Sequence, residues 1–395
     1  MRVLFISTSD YKYGAAKTLI DMMLELKKSY GVEPVVLTKK RNPLNELCDK
    51  NCIENDSFWY RDIMAGSAYS IPILNWLKHC VKYAQYVYGA ITQRKVIDSK
   101  IDFESIDIVH SNHIRVDIGV LLSKLYGKPH VWHIKELNKG HCKIVHYKSN
   151  CYSYINRNAD AFIAVTNQVK EYWTLAGLDA DRIRVIYEGI DTNKFVDRIE
   201  RDDDLLRMVV VGRIEEAKGQ LQVVEAVSML PEEIRRNIHI DLWGDAYFDY
   251  RRKINRFVER NNMASIVDFR GYCTDIPSAL RQYDVGILSS KGDAFGTVTA
   301  EYMAAGLITI ATYSELVEDR ISGYRYEFGD IKSLKEIIEW VYYNRSVAEE
   351  TAKQGKRVIS RDFTIQSNAR SIYKLYTDVL NGKFINKGDL CGRTD

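Results

Sequence analysis

At 395 residues the chain exceeds what one hydrophobic core ordinarily supports, so its length predicts two domains. Hydrophobic residues make up 46% and charged residues 28%, a globular composition that excludes a disordered chain, and no run approaches the roughly 20 apolar residues that span a bilayer. The net charge of +3 hides an asymmetry: residues 1–190 hold 26 Lys and Arg against 20 Asp and Glu, the remainder 30 against 33. A basic first half fits an anionic partner there, phosphate or a membrane surface, and equally an ordinary imbalance.

Met1 leads straight into Val3-Leu4-Phe5-Ile6, too short and too weakly basic for a secretion leader. It reads as a buried strand, 2–7, and the expected location is the cytosol, with the inner membrane face as a possible station. A turn at Gly14 precedes a helix over 16–29, with Leu19, Met22, Met23 and Leu26 on one face. Further strands are expected at 33–37, 107–110, 130–133, 161–165 and 183–187. The seven cysteines are scattered and odd in number, which suits thiols rather than a disulfide framework. Cys48 and Cys52 lack a second pair at zinc spacing.

Residues 71–95 combine Ile73, Leu74, Trp76, Leu77, Val81, Tyr86, Val87 and Tyr88 with Lys78, Lys82, Arg94 and Lys95. Such a helix either packs on the first sheet, the reading base rates favour, or lies in a membrane interface. Six of the eight histidines fall at 110, 113, 130, 133, 141 and 146, amid Lys124, Lys128, Lys135, Lys139, Lys143 and Lys148. His133 ends a strand and is either a core histidine satisfied by backbone or a group at a ligand site. The two His-x-x-His pairs sit on adjacent strands and need not converge on a metal.

Asp197 to Arg207 is charged and weakly periodic, as a linker would be; its Asp202-Asp203-Asp204 reads as a solvated charge run. The strand–helix alternation then restarts. Strands are expected at 208–211, 238–243, 266–269, 284–288, 308–311 and 324–328, and helices at 219–230, 247–260, 275–282, 297–305 and 331–340. A last helix over 362–380 precedes a polar tail. Alternation of this kind predicts an α/β chain of two doubly wound, Rossmann-like domains with parallel sheets. The expected division is 1–195, 196–362 and 363–395, the last segment crossing back to the first domain. Ligands in such sheets bind at the carboxyl ends of strands, and the cleft between two such domains is the default site.

Four stretches carry candidate chemistry. Val209-Val210-Val211-Gly212-Arg213 with Lys218-Gly219 puts two cations at a strand end before a helix; these suit a pyrophosphate or are solvated loop charges. Leu242-Trp243-Gly244-Asp245 is a strand entering a Gly turn. Val267 to Tyr272, followed by Asp275 and Ile276, ends a strand at Gly271, where backbone can approach a flat base or simply turn. Gly292-Asp293-Ala294-Phe295-Gly296-Thr297 opens a helix carrying Glu301, then Met303-Ala304-Ala305-Gly306. Its N–H groups suit phosphate and its carboxylates suit sugar hydroxyls.

The order of these pieces resembles the retaining family 4 glycosyltransferases of the GT-B fold, with their V-G-R…K-G stretch and E-x₇-E motif. Asp160 to Thr166 and Val185 to Asp191 fit the same family, and the resemblance runs from residue 1 to about 380. It implies that Arg213 and Lys218 hold the donor diphosphate and Glu301 the ribose. Backbone around Tyr272 would read the base, and Asp293, Phe295, Gly296 and Thr297 would contact sugar and phosphates. Gly14 would belong to the donor site, and His133 would touch the sugar, with Lys135 and Glu136 beside the acceptor. His133, Asp293 and Glu301 are the catalytic candidates. No metal and no cofactor are implied; the donor would be a UDP- or GDP-hexose and the acceptor a cell-surface glycan or lipid-linked sugar, with no nucleic-acid partner. Asp293 stands where the family has Glu, Ala15 and Ala16 follow a single Gly14 where two glycines are common, and Glu188 replaces a common Asn. The alternative is a GT-B-shaped, non-catalytic partner of another transferase; a GT-B-fold epimerase would need acid/base groups not found here.

Overall fold

The computed structural model describes residues 1–7, 14–60, 62–66, 72–92, 100–137, 144–146, 150–196, 198–199, 201 and 203–384. Its contacts divide into two units, Met1–Gly189 with Ile365–Asp395, and Ile190–Thr364. The first change of unit falls six residues before the expected 195.

In the first unit, β1 (Arg2–Ser7), β2 (Glu33–Thr38) and β3 (Glu54–Ser57) alternate with α1 (Gly14–Tyr30) and α2 (Pro43–Lys50). A short β4 (Met64–Gly66) and α3 (Pro72–Thr92) follow, then β5 (Ile108–Ser111), α4 (Ile118–Tyr126) and β6 (His130–Ile134). Next come β7 (Ile144–His146), α5 (Cys151–Arg157), β8 (Ala161–Ala164), α6 (Asn167–Leu175) and β9 (Ile183–Val185). Seven strands form one parallel sheet in the order β3-β2-β1-β5-β6-β8-β9, while β4 and β7 pair antiparallel. The run Val3-Leu4-Phe5-Ile6 is wholly buried because both sheet faces are covered. Val3, Phe5, Ile108, Val131 and Ile163 face one core, and Leu4, Ile6, Val35, Leu37 and Val109 the other. Strand order reverses between β1 and β5, which marks the switch point where doubly wound sheets take ligands.

The second unit repeats the plan. Its elements are β10 (Leu206–Val211), α7 (Gln220–Ser228), α8 (Glu232–Arg235), β11 (Ile238–Trp243), α9 (Phe248–Arg260) and β12 (Val267–Gly271). They continue through α10 (Ile276–Leu280), β13 (Val285–Leu288), α11 (Thr297–Ala304), β14 (Ile308–Ala311), β15 (Tyr324–Arg325), α12 (Ile331–Tyr343) and α13 (Arg345–Asp362). The parallel sheet runs β12-β11-β10-β13-β14-β15, so its switch point lies between β10 and β13. The last helix, α14 (Ile365–Leu380), returns to the first unit and packs Ile365, Ala369, Ile372, Leu375, Tyr376 and Val379 into the core beneath β1 and β5.

Four sequence expectations need correction. The packed reading of 71–95 fails: on α3 the described apolar side chains are exposed, Trp76 at 62% and Tyr88 at 65%. The side chains of Lys78, Lys82 and Tyr86, and residues 93–95, lie outside the described set, as do those of 138–149 that held Lys139, His141, Lys143, His146 and Lys148. Helix α13 had no counterpart in the sequence reading, because its buried stripe is Ala348, Thr351, Ala352, Gly355 and Ile359, mostly small or polar residues with a faint hydrophobic period. The strand expected at 324–328 shrinks to Tyr324–Arg325 at the sheet edge.

The expected linker is not loose. Arg198 and Arg201 reach buried Asp284 Oδ1 at 3.3 and 3.1 Å, Arg345 meets the same oxygen at 3.1 Å, and the Arg207 N–H donates to Oδ2 at 2.9 Å. Arg207 also grips Asp203, so that part of the acidic run is paired; Asp202 lies outside the described residues.

Candidate active site

At the switch point of the second unit, Gly212 and Arg213 follow the end of β10, and the chain makes a single 3-10 turn, Glu216–Lys218, before α7. The loop after β13 is fastened to this turn. Ser289 Oγ donates to Lys218 O at 2.7 Å, Lys291 N to Ala217 O at 2.9 Å, and Gln222 Nε2 to Ser289 O at 2.8 Å. Gly219, at φ 65°, permits the approach, since a Cβ there would collide with Ser289 O. The fastening carries Lys218 and Asp293 together, with Nζ 2.7 Å from Oδ1. Arg213 is half-exposed, its Nη1 3.5 Å from the Tyr247 hydroxyl and 3.9 Å from Glu215.

Three strand-end turns lie side by side. Gly212 N donates to Trp243 O at 2.9 Å, Ile214 N to Asp245 O at 2.8 Å, and Gly244 N to Gly271 O at 2.7 Å. Tyr272, partly buried, follows directly. Beyond β13, Gly296 at φ 76° begins α11 without a side-chain cap, so its first N–H groups present the positive end of the helix dipole. Phe295 just before it is buried, 6.4 Å from the Phe363 ring centroid, so only its backbone is available to a ligand. Glu301 lies one turn in, partly buried.

Next to Glu301, Tyr302 is fully buried and its hydroxyl accepts the Val211 N–H at 2.7 Å. Here β10 and β13 diverge at the switch point, and the phenol satisfies a strand N–H that would otherwise be stranded. Gly286 on β13 makes room, because a Cβ would strike the Tyr302 ring. Among the described residues His239, Asp241 and Asp268 bring three possible metal ligands together. Arg270 Nε already sits 2.8 Å from Asp241 Oδ1 and the Tyr283 hydroxyl 2.6 Å from Oδ2, so donors fill that carboxylate.

In the first unit His133 and His110, on adjacent strands β6 and β5, approach at Nδ1···Nε2 3.2 Å, and His110 Nδ1 is 2.7 Å from the Tyr376 hydroxyl. His133 Nε2 is buried without a hydrogen-bond partner among the described residues. Burial, with the nearby Lys135 charge, holds both imidazoles far below the ordinary histidine range, so both are neutral. His130 is the satisfied core histidine: Nδ1 lies 2.7 Å from Asn158 O and Nε2 2.8 Å from Ser111 Oγ, and burial lowers it to about 4. Lys135 pairs with Glu188 at 3.0 Å. Glu136 accepts from Ile114 N at 3.2 Å and Lys135 N at 3.0 Å, with His113 at 3.5 Å. Burial alone would raise the Glu136 carboxyl; His113, Arg115 and the Lys135 N–H outweigh it and hold it below the usual range. Gly14 begins α1, next to residues 8–13, which lie outside the described set.

Residues 14–194 match the Glycosyltransferase Family 4 model, and residues 191–358 the Glycosyl transferases group 1 model. The chain is a family 4 glycosyltransferase with the GT-B fold. It is 25% identical over 328 residues to an uncharacterized glycosyltransferase of Methanocaldococcus jannaschii, MJ1178, covering 80% of this chain and 88% of that one. It is 24% identical over 246 residues to the lipopolysaccharide core biosynthesis mannosyltransferase LpsB of Rhizobium meliloti, covering 58% and 68%. Anabaena HepE (Alr3699), solved in complex with UDP, shares the fold at TM-score 0.75 and 21% identity, over 96% of this chain and 100% of that one.

In this glycosyltransferase, then, Lys218 and Asp293 are in contact and Arg213, Gly296, Thr297 and Glu301 lie on the loops and helix around the second switch point. Tyr272 closes the neighbouring strand end. Lys135 and Glu136 are paired within the first unit, Lys135 with Glu188 and Glu136 with the Ile114 and Lys135 N–H groups. Sequence reasoning missed Tyr302, Ser289 and Tyr376, whose importance lies in backbone and side-chain partners far away in the chain; no local spacing announces such contacts.

Proposed function

We propose that this glycosyltransferase is a retaining hexosyltransferase that takes its sugar from a UDP- or GDP-sugar without a metal ion. The observation that carries the reading is the Lys218–Asp293 pair, locked at the β10/β13 switch point beside the uncapped start of α11. A diphosphate entering there offers Lys218 and Arg213 more charge than one carboxylate does, and the α11 amide dipoles add to it. Lys218 then exchanges Asp293 for phosphate oxygens, and the released carboxylate turns to a sugar hydroxyl. Glu301 holds the ribose and backbone at Tyr272 faces the base. The departing phosphate oxygen takes the acceptor's proton, so positioning and charge stabilisation supply the catalysis. UDP in HepE, a protein of the same fold, supports a nucleotide of this class.

The acceptor in this reading is a glycan or lipid-linked sugar of a cell-surface polymer, met at the membrane. Support comes from the exposed apolar side of α3, a helix without Asp or Glu, although no described helix is long and apolar enough to cross a bilayer.

Thermal melting with UDP, GDP and ADP in the presence of a chelator tests the donor site. A nucleotide that binds only the folded state raises Tm. One of the first two should do so for the wild type and fail for Lys218→Ala; flat melting curves with all three would overturn the reading.

A further inference from the structure

Three fully buried side chains form a file through the first unit: Tyr376 Oη, 2.7 Å from His110 Nδ1; His110 Nε2, 3.2 Å from His133 Nδ1; and His133 Nε2, without a partner among the described residues. Proton counting sets its direction. A phenol has one hydrogen, and burial keeps it on Tyr376. Its hydrogen-bond partner is His110 Nδ1, which therefore accepts. Neutral His110 then carries its hydrogen on Nε2 and donates to His133 Nδ1. Neutral His133 is left with its hydrogen on Nε2. The opposite direction would strand the phenol hydrogen in a dry core, which native interiors rarely tolerate.

We propose that Tyr376, acting through His110, is a positioning residue that fixes His133 as an Nε2–H donor to an oxygen of the bound sugar. The identity of that oxygen's owner rests on the glycosyl-transfer reading; the fixed tautomer does not. A second observation points to a ligand at the same place. Asn112, one residue past β5, is fully buried, and neither its Oδ1 nor its Nδ2 has a partner among the described residues. The pairing Ser111↔Trp132 makes Asn112 and His133 the next neighbours in register, beside the β1/β5 switch point. Two adjacent strand ends thus hold one donor and one amide that both gives and accepts, a set matched by a sugar hydroxyl.

The test is long-range proton–nitrogen correlation on protein carrying ¹⁵N-histidine, with the His133 signals identified by their loss in His133→Asn. Wild type should show a bare Nδ1 and a protonated Nε2 at His133, and Tyr376→Phe a mixture of tautomers. In parallel, nucleotide release from a panel of UDP- and GDP-sugars should fall about tenfold in Tyr376→Phe, the effect of one lost hydrogen bond. In a His133→Asn background, whose amide donates regardless of His110, Tyr376→Phe should change nothing more. Hydrogen on His133 Nδ1 in the wild-type spectrum overturns the proposal even if Tyr376→Phe does not fold. So does an undiminished loss in the His133→Asn background. The stated tautomer in an enzyme that turns over no nucleotide sugar leaves the fixed donor standing and removes the glycosyl-transfer reading instead.

Discussion

Lys218 and Asp293 neutralise each other at 2.7 Å while both remain partly open to water, so an incoming anion competes for a cation that little else holds in place. Removing the ammonium should therefore cost chemistry far more than fold. Lys218→Ala is expected to lower kcat/KM by about a hundredfold or more, the scale of losing one preorganised charge, with urea unfolding shifted by under about 0.5 kcal/mol as for other surface changes. Wild-type turnover in that variant would remove Lys218 from the phosphate role. Tyr302 is the opposite case. Tyr302→Phe leaves the half-buried Val211 N–H without its acceptor, and stability should fall by about 1 kcal/mol; an unchanged urea midpoint would contradict that bond. The two residues also divide what a sequence can tell. Lys218 precedes a glycine and a helix, and Asp293 stands eight positions before Glu301, patterns that mark chemistry locally. Tyr302 is one aromatic among many until the strand it serves, 91 positions earlier, is folded beside it.

Among elements, most strands of both sheets were legible because fully buried parallel strands read as unbroken apolar runs, whereas β3 at the edge of the first sheet, Glu54-Asn55-Asp56-Ser57, is polar and gave no such run. Helix α13 was not, since Ala348, Ala352 and Gly355 bury little area each and leave almost no period. The segment from 197 to 207 misled in another way: its charges suggest solvent, yet Arg198 and Arg201 serve Asp284. Asp284→Ala would leave Arg198, Arg201 and Arg345 without their shared carboxylate and should destabilise the second unit by about 3 kcal/mol, read as a lower melting temperature. Arg198→Ala alone should cost less, because two guanidiniums remain. Helix α3 shows how a base rate can fail for one case. Its exposed Trp76, Val81 and Tyr88 should carry the protein up a gradient with vesicles containing anionic lipid, and Trp76→Ser with Tyr88→Ser should abolish it. Co-flotation undiminished by those changes would assign the contact elsewhere.

At the scale of the whole molecule, the described residues of the first unit include three buried neutral histidines, His110, His130 and His133, and these lower its tolerance of acid. Folded His130 takes up a proton only near pH 4, whereas the unfolded chain does so near 6.5. Between those values the unfolded state binds more protons, so stability rises with pH across the window and is lost as pH falls through it. His130 alone accounts for on the order of 3 kcal/mol by pH 4, and His110 and His133 act in the same direction. Unfolding free energy measured in urea should decline steadily from pH 7 to pH 5; a flat profile would mean that these rings are hydrated or already charged in the native state.

The return of α14 to the first unit also orders events at the ribosome. Strands β1 to β9 leave the exit tunnel early, but one wall of their core, Ile365 through Val379, is translated only after the whole second unit. The second unit, continuous from 190 to 364, can close while the first still waits. The unit that is begun first is thus finished after the second, and a nascent chain carries the apolar underside of β1 and β5 uncovered throughout synthesis of the second unit, a surface that a chaperone would have to shield until α14 arrives.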